Sequence, residues 1–325
     1  MIKIGGITVT EKYIISSAPH IRHKDSTKKI MWSVAAALAP AGVAGVWIFG
    51  AHSFYVIAAG VLSALAAEAV LQKLMKKPVT ISDGSALITG LLLSYNLPPG
   101  APLWLAAAGS FFAIAVAKQA FGGLGRNIFN PALAGRAFVM LSWPVYMTRW
   151  ANPRFWPDAV SSATPLAKIH NGLQAAVHKV SYWDLFIGNR GGCIGEVCVI
   201  AILAGAAFLL YKGYIRWHTP FSYILTTGAL TWAFGGKGFF AGDFVFAVLA
   251  GGLMLGAFFM ATDMVTTPLT PKGQLIFGIS CGVLTFIIRK WGGYPEGVSY
   301  SILMMNAATP IIDRFTKPRV FGLEK

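Results

Sequence analysis

The sequence predicts an all-α integral membrane protein with about ten transmembrane helices, arranged as two pseudo-repeats with broken helices. Three observations lead there. Of its 325 residues, 55% are hydrophobic and only 12% are charged, about half the charge a soluble domain carries. Mean hydropathy is +0.61. Apolar stretches close to the ~20 residues that carry a helix across a ~30 Å hydrocarbon core recur along the chain. The 36 glycines and 17 prolines are dispersed among those stretches, a pattern of neither disorder nor a collagen-like repeat.

Residues 1–29 hold Lys3, Lys12, Arg22, Lys24, Lys28 and Lys29 and lack a small-residue cleavage site, so they read as a retained cytoplasmic segment. Apolar windows follow at 30–50, 53–72, 83–97, 102–119 and 128–147, forming a first membrane half (30–147). A polar, aromatic loop occupies 148–192. A second half (193–312) holds windows at 193–211, 219–235, 241–262, 273–289 and 297–312, and a cytoplasmic tail covers 313–325. Window three ends in Leu97-Pro98-Pro99-Gly100, and window five is entered through Gly122-Gly123-Leu124-Gly125. Both read as interrupted helices, which survive at membrane depth only when protein buries them or they line a cavity. The glycine run has no preceding soluble strand and so is no nucleotide fingerprint.

Net charge is +15. Basic residues sit in short loops between apolar windows, which points to membrane topology and not to nucleic acid. With the N-terminus inside, eighteen Lys and Arg fall on the cytoplasmic side and eight on the other. That bias predicts a bacterial inner-membrane protein with both termini cytoplasmic and loop 148–192 extracytoplasmic.

The halves echo each other. Gly90–Pro99 followed by Asn127–Ala132 resembles Gly256–Pro268 followed by Met304–Pro310. Each pair is an apolar helix ending in a polar, proline-containing break, then an Asn-centred helix. Repeats broken at matching places point to a pathway between them. Ionisable residues in or beside the windows are Glu68, Asp83, Glu196, Asp243 and Asp263, each costly to bury unless paired or hydrated. Asp83 and Asp263 adjoin the two breaks and are ion-pathway candidates; the alternative for Asp83 is a helix cap. Asn130, Asn306 and Asn127 either line such a path, hydrogen-bond a buried cofactor, or satisfy the backbone groups freed where helices break. Arg136, inside window five, either pairs with a carboxylate, holds a cofactor's polar edge, or snorkels to the surface.

Cys193, Cys198 and Cys281 form no CxxC and give an odd count, so neither a disulfide framework nor a four-cysteine cluster is expected. Cys193 and Cys198 read as packing residues. The six histidines show no ligand spacing, and no metal site is expected.

Loop 148–192 contains Asp158-Ala-Val-Ser161-Ser162-Ala163-Thr164-Pro165-Leu166. From the residues alone this is a small-residue turn with an exposed hydroxyl, or the cap of a short helix over 166–179. The segment resembles the flavinylation motif, Asp-x-x-[Ser/Thr]-Gly-Ala-Thr, of membrane subunits in the Rnf and Na⁺-translocating NADH:quinone reductase families. Gly123–Phe138 and Ala261-Thr262-Asp263 resemble conserved stretches of the same subunits, and the likeness runs over nearly the whole chain.

The resemblance implies that a dedicated flavin transferase attaches FMN through its phosphate to Thr164, with Asp158, Ser161, Ser162 and Ala163 forming the rest of the motif. Ser162 stands where the family has glycine and gives up some backbone freedom. Arg149, Arg154, Lys168 or Arg190 would offset the phosphodiester charge. Trp150, Trp156 or Trp183 would stack on the ring or serve as interfacial belt residues. A second, non-covalent flavin such as riboflavin among the helices is also implied. So is a role as one membrane subunit of an ion-translocating ferredoxin:NAD⁺ oxidoreductase, moving Na⁺ or H⁺. The chain has no NAD-binding fold and no iron–sulfur cysteine set, so those reactions belong to partner subunits and no catalytic residue is assigned here. The competing expectation is a stand-alone channel or transporter with a non-flavinylated external loop.

Overall fold

The computed structural model describes residues 25–150, 181–236, 238–293 and 296–317, together with Pro153 and Leu166. Every regular element among them is helical. Helix α1 (Thr27–Phe49) starts at Ser26, whose hydroxyl accepts from the Lys29 N–H, and ends at Gly50. Helix α2 (Ala51–Leu74) follows at once. After a 3-10 turn come α3 (Ser85–Tyr95) and α4 (Leu103–Phe112), the latter continuing as a π-turn over Ala113–Gln119. Half one closes with α5 (Pro131–Ser142) and α6 (Pro144–Met147). A short α7 (Tyr182–Ile187) precedes half two, which comprises α8 (Val199–Tyr211), α9 (His218–Phe234), α10 (Phe244–Leu249), α11 (Leu253–Leu255) with a π-turn over Gly256–Met260, α12 (Pro271–Trp291) and α13 (Val298–Thr316).

Helices α1, α2 and α12 are long and apolar enough to cross a membrane, and 85–95, 103–119, 131–142 and 199–211 are shorter apolar helices. Each of the ten apolar windows overlaps at least one helix, and those over 219–235, 241–262 and 297–312 hold helices outside these two groups. Three details differ from expectation. Window six begins as a helix only at Val199. The backbone of its first residues is spent elsewhere, with Ile194 N–H donating to Leu97 O (3.1 Å) and Gly195 N–H to Tyr95 O (3.0 Å). Window eight is split after α10, where Gly251 takes φ +71°, a conformation glycine adopts freely. Helix α13 runs on to Thr316, past the expected start of the tail at 313.

The packing matches between the halves. Helix α2 lies against α3 and α4 as α9 lies against α10 and α12, while α1 packs on α8 and α5 on α13 across the seam. Close approach depends on missing side chains: a Cβ at Gly278 would lie 2.0 Å from Ser222 Oγ, and one at Gly205 2.0 Å from Ala37 O. Small residues bring membrane helices together where burial of apolar surface drives little association. The outward faces are apolar, with Val43, Trp47 and Leu62 exposed while Leu38, Val56 and Ala64 are buried. Polar residues turn inward, the reverse of a soluble bundle.

Candidate functional site

The five motif residues Asp158, Ser161, Ser162, Ala163 and Thr164 lie outside the described residues. Their flank is described: Leu166 is buried in a small cluster with Leu185 of α7 and with Phe246 and Ala250 of half two. Leu166 itself therefore packs on half two at the α7 end of the bundle. On the same α7, Tyr182 and Trp183 are exposed, and Tyr182 donates to Asp243 Oδ2 at 2.7 Å. That exposed bond holds the Tyr182 hydroxyl above its usual pKa. Arg190, expected to offset a phosphate, is buried and donates to Glu196 O at 3.4 Å.

The seam between the halves holds most of the other expected residues. Near the N-terminus of α1 it opens into a cavity of about 90 Å³ whose lining includes Ser85, Lys118, Asn127, Asn130 and Asp263. Asp83 is a cap: its Oδ1 accepts from the N–H (2.8 Å) and the hydroxyl (2.7 Å) of Ser85. The Ser85 hydroxyl accepts in turn from Lys118 Nζ at 2.6 Å, and Lys118 pairs with Glu68 at 2.8 Å, both side chains almost fully buried. Gln72 and Gln119 donate to the same carboxylate at 3.2 and 3.0 Å. The π-turn of α4 aims Lys118 and Gln119 together at Glu68. Counted among loop charges in the sequence, Lys118 is instead an interior cation.

Asp263 also lines the cavity and holds its own turn, accepting from Val265 N–H (3.4 Å) and Thr266 Oγ (3.1 Å). Deeper in, the helix breaks of the two halves meet. Asn130 caps α5 by accepting from Ala132 and Leu133 N–H, and its amide donates to Met260 O at 3.3 Å. Asn306, its amide oriented so that both polar atoms are satisfied, accepts from Asn130 N–H at 3.0 Å and donates to Ile302 O at 3.2 Å. Asn96 donates to Leu92 O and reaches Met260 Sδ. Both pathway asparagines thus serve freed backbone groups while joining the halves; Asn127 donates to Phe129 O at 3.1 Å.

Beyond this knot, Arg136 on α5 donates to Ser299 Oγ and to Glu296 Oε2 at the start of α13. Among its three expected roles, pairing with a carboxylate is the one observed. The partner was hidden in the sequence because Glu296 sits in what reads as a short external loop.

The model of the NQR2, RnfD, RnfE family matches residues 14–322. Three similar proteins cover nearly the whole chain. The first, 53% identical over 96% of this chain and 97% of its own, is the D-lettered member of the proton-translocating ferredoxin:NAD(+) oxidoreductase complex of Clostridium ljungdahlii. The second, 50% identical over 96% of each chain, is the D-lettered member of the Na(+)-translocating ferredoxin:NAD(+) oxidoreductase complex of Acetobacterium woodii. The third, 37% identical over 95% of this chain and 98% of its own, is the D-lettered member of the ion-translocating oxidoreductase complex of Citrobacter koseri.

Proposed function

The chain belongs to the NQR2, RnfD, RnfE family, and on that premise we propose that it is the RnfD-type membrane component of a redox-driven ion translocase exchanging electrons between ferredoxin and NAD⁺. Its partners are the other subunits of that complex, which carry the iron–sulfur and nicotinamide reactions. In this reading ten helices cross a bacterial inner membrane, both termini are cytoplasmic, and loop 148–192 faces out. A flavin transferase joins FMN to Thr164, and the chain contributes part of the path for Na⁺ or H⁺.

The observation that carries the reading is the Asp158–Thr164 motif in a chain so closely related to components of such complexes. The described flank is compatible with the group: Leu166 packs beside α7, whose exposed Trp183 offers a flat apolar face. Asp243, bonded to Tyr182, steadies α7 beside it. When bound, FMN would supply one- and two-electron transfer, while the protein fixes its position and excludes it from the bilayer. At about 90 Å³ the seam cavity suits water and ions and falls short of the ~300 Å³ of a pocket for a molecule of riboflavin's class. Carboxylate, hydroxyl, amide and ammonium groups around that cavity are the chemistry of an ion path in which Asp263 is the candidate carrier.

The test is in-gel flavin fluorescence of denatured protein after co-expression with the transferase. A fluorescent band that disappears in Thr164→Val is expected. A non-fluorescent wild-type band removes the electron-relay role and leaves a channel-like membrane protein.

A further inference from the structure

At the end of the seam opposite the cavity, the Cys193 thiol and one carboxylate oxygen from each of Glu196 and Glu296 lie within 4.8 Å of one another. Glu196 is 2% exposed. Its Oε1 accepts from Cys193 N–H at 3.0 Å, and its Oε2 has no partner among the described residues. Glu296 gives Oε2 to Arg136, while its Oε1 has none. We propose that these two carboxylates form a proton-binding site, in which a proton carried on Glu196 Oε2 is shared towards Glu296 Oε1, directly or through one water.

The donor count argues for it. An ionised carboxylate only accepts hydrogen bonds, so two of them side by side leave each other unsatisfied. A buried acceptor without a partner is costly. A single added proton turns one orphan into a donor and satisfies both. The bonds that the neighbouring cations make go to other acceptors. Arg136 serves Ser299 and Glu296, and Arg190 donates to the Glu196 backbone oxygen and has an unpartnered Nε. Arg289 donates to the backbone oxygens of Glu296 (3.1 Å), Ala247 (2.7 Å) and Ala250 (3.2 Å). Among the described residues, none of these guanidinium bonds reaches the Glu196 carboxylate.

A metal ion fits poorly. Thiol plus two carboxylates is a zinc-like donor set, but the three surrounding guanidinium groups repel a dication twice as strongly as a proton. Glycine backbone also walls the carboxylate, since a Cβ at Gly252 would lie 2.9 Å from Glu196 Oε2 and one at Gly192 3.0 Å from Oε1. A proton needs no such room. The site also bridges the halves: Arg136 comes from α5, Glu296 from the start of α13, and the Glu196 segment is bonded to Tyr95 and Leu97. Loading or releasing the proton changes the charge of that joint by one.

Infrared spectroscopy of the full-length chain in nanodiscs at neutral pH tests this. A protonated carboxylic acid C=O band that downshifts in D₂O is expected in wild type. It should vanish in Glu196→Gln, which keeps the wild-type thermal midpoint because the amide donates in the proton's place. In Glu296→Gln the band should persist at a changed frequency. If Glu196→Gln does not fold, Glu296→Gln decides alone, and an unchanged band overturns the proposal. So does a wild-type protein without the band, or one that binds stoichiometric Zn²⁺ and loses it in Cys193→Ser.

Discussion

Replacing Lys118 by methionine removes the only cation paired with Glu68 among the described residues while keeping most of the buried volume. The ammonium donates to Ser85 Oγ at 2.6 Å and to Glu68 Oε2 at 2.9 Å, with Glu68 Oε1 in ion-pair contact at 2.8 Å. Without it, Glu68 keeps only the Gln72 and Gln119 amides, both on Oε1. Breaking one side of a buried pair costs about 3–5 kcal/mol, whereas removing both charges is close to neutral. At about 2 °C per kcal/mol for a chain of this size, Lys118→Met lowers the thermal midpoint by roughly 6–10 °C. Glu68→Gln/Lys118→Met recovers most of that loss. Thermal unfolding in one detergent at one scan rate measures both, because midpoints of membrane proteins are rate-dependent. A single variant within about 2 °C of wild type, or a double variant no better than Lys118→Met, refutes the reasoning.

Gly205→Ala drives a methyl group into the Ala37 carbonyl of α1 and lowers the same midpoint by the equivalent of about 1–3 kcal/mol; Gly100→Ala, with no atom within 4 Å of its added Cβ, leaves it unchanged. Asp263→Asn retains an acceptor for Thr266 or Val265 and removes the charge beside the cavity. In vesicles reconstituted with the complete complex it slows ion-coupled electron transfer about tenfold, the effect of one contact worth ~1.4 kcal/mol, with flavin attachment unaltered. Unchanged coupling reduces Asp263 to a turn residue.

Helix positions were legible because a bilayer demands long apolar windows, and each window holds a helix. The breaks at Asn96 and after Met260 were legible through proline and glycine. The start of α8 was not, since Cys193–Cys198 looks as apolar as a helix while its backbone bonds to Tyr95 and Leu97, far away in sequence. Asp83, Asn130 and Asn306 were legible as caps and break residues, because such roles are local or nearly so. Lys118 and Glu296 were not, because each pairs with a charge 50 or 160 residues distant and each sits at the edge of an apolar window. Periodicity carries no information about which distant charges meet.

The wide turn over Ala113–Gln119 has a consequence for the geometry of α4. A π-turn accommodates one residue more than the α-helix around it, and each α-helical residue advances the helix by about 100°. Deleting a single alanine from the regular part of α4 ahead of the turn would therefore swing Lys118 and Gln119 about 100° away from Glu68, whereas a deletion inside the turn would only take out its surplus residue and leave that phase nearly unchanged. The phase of the wall, and not only the identity of its side chains, decides whether a cation is kept in the interior.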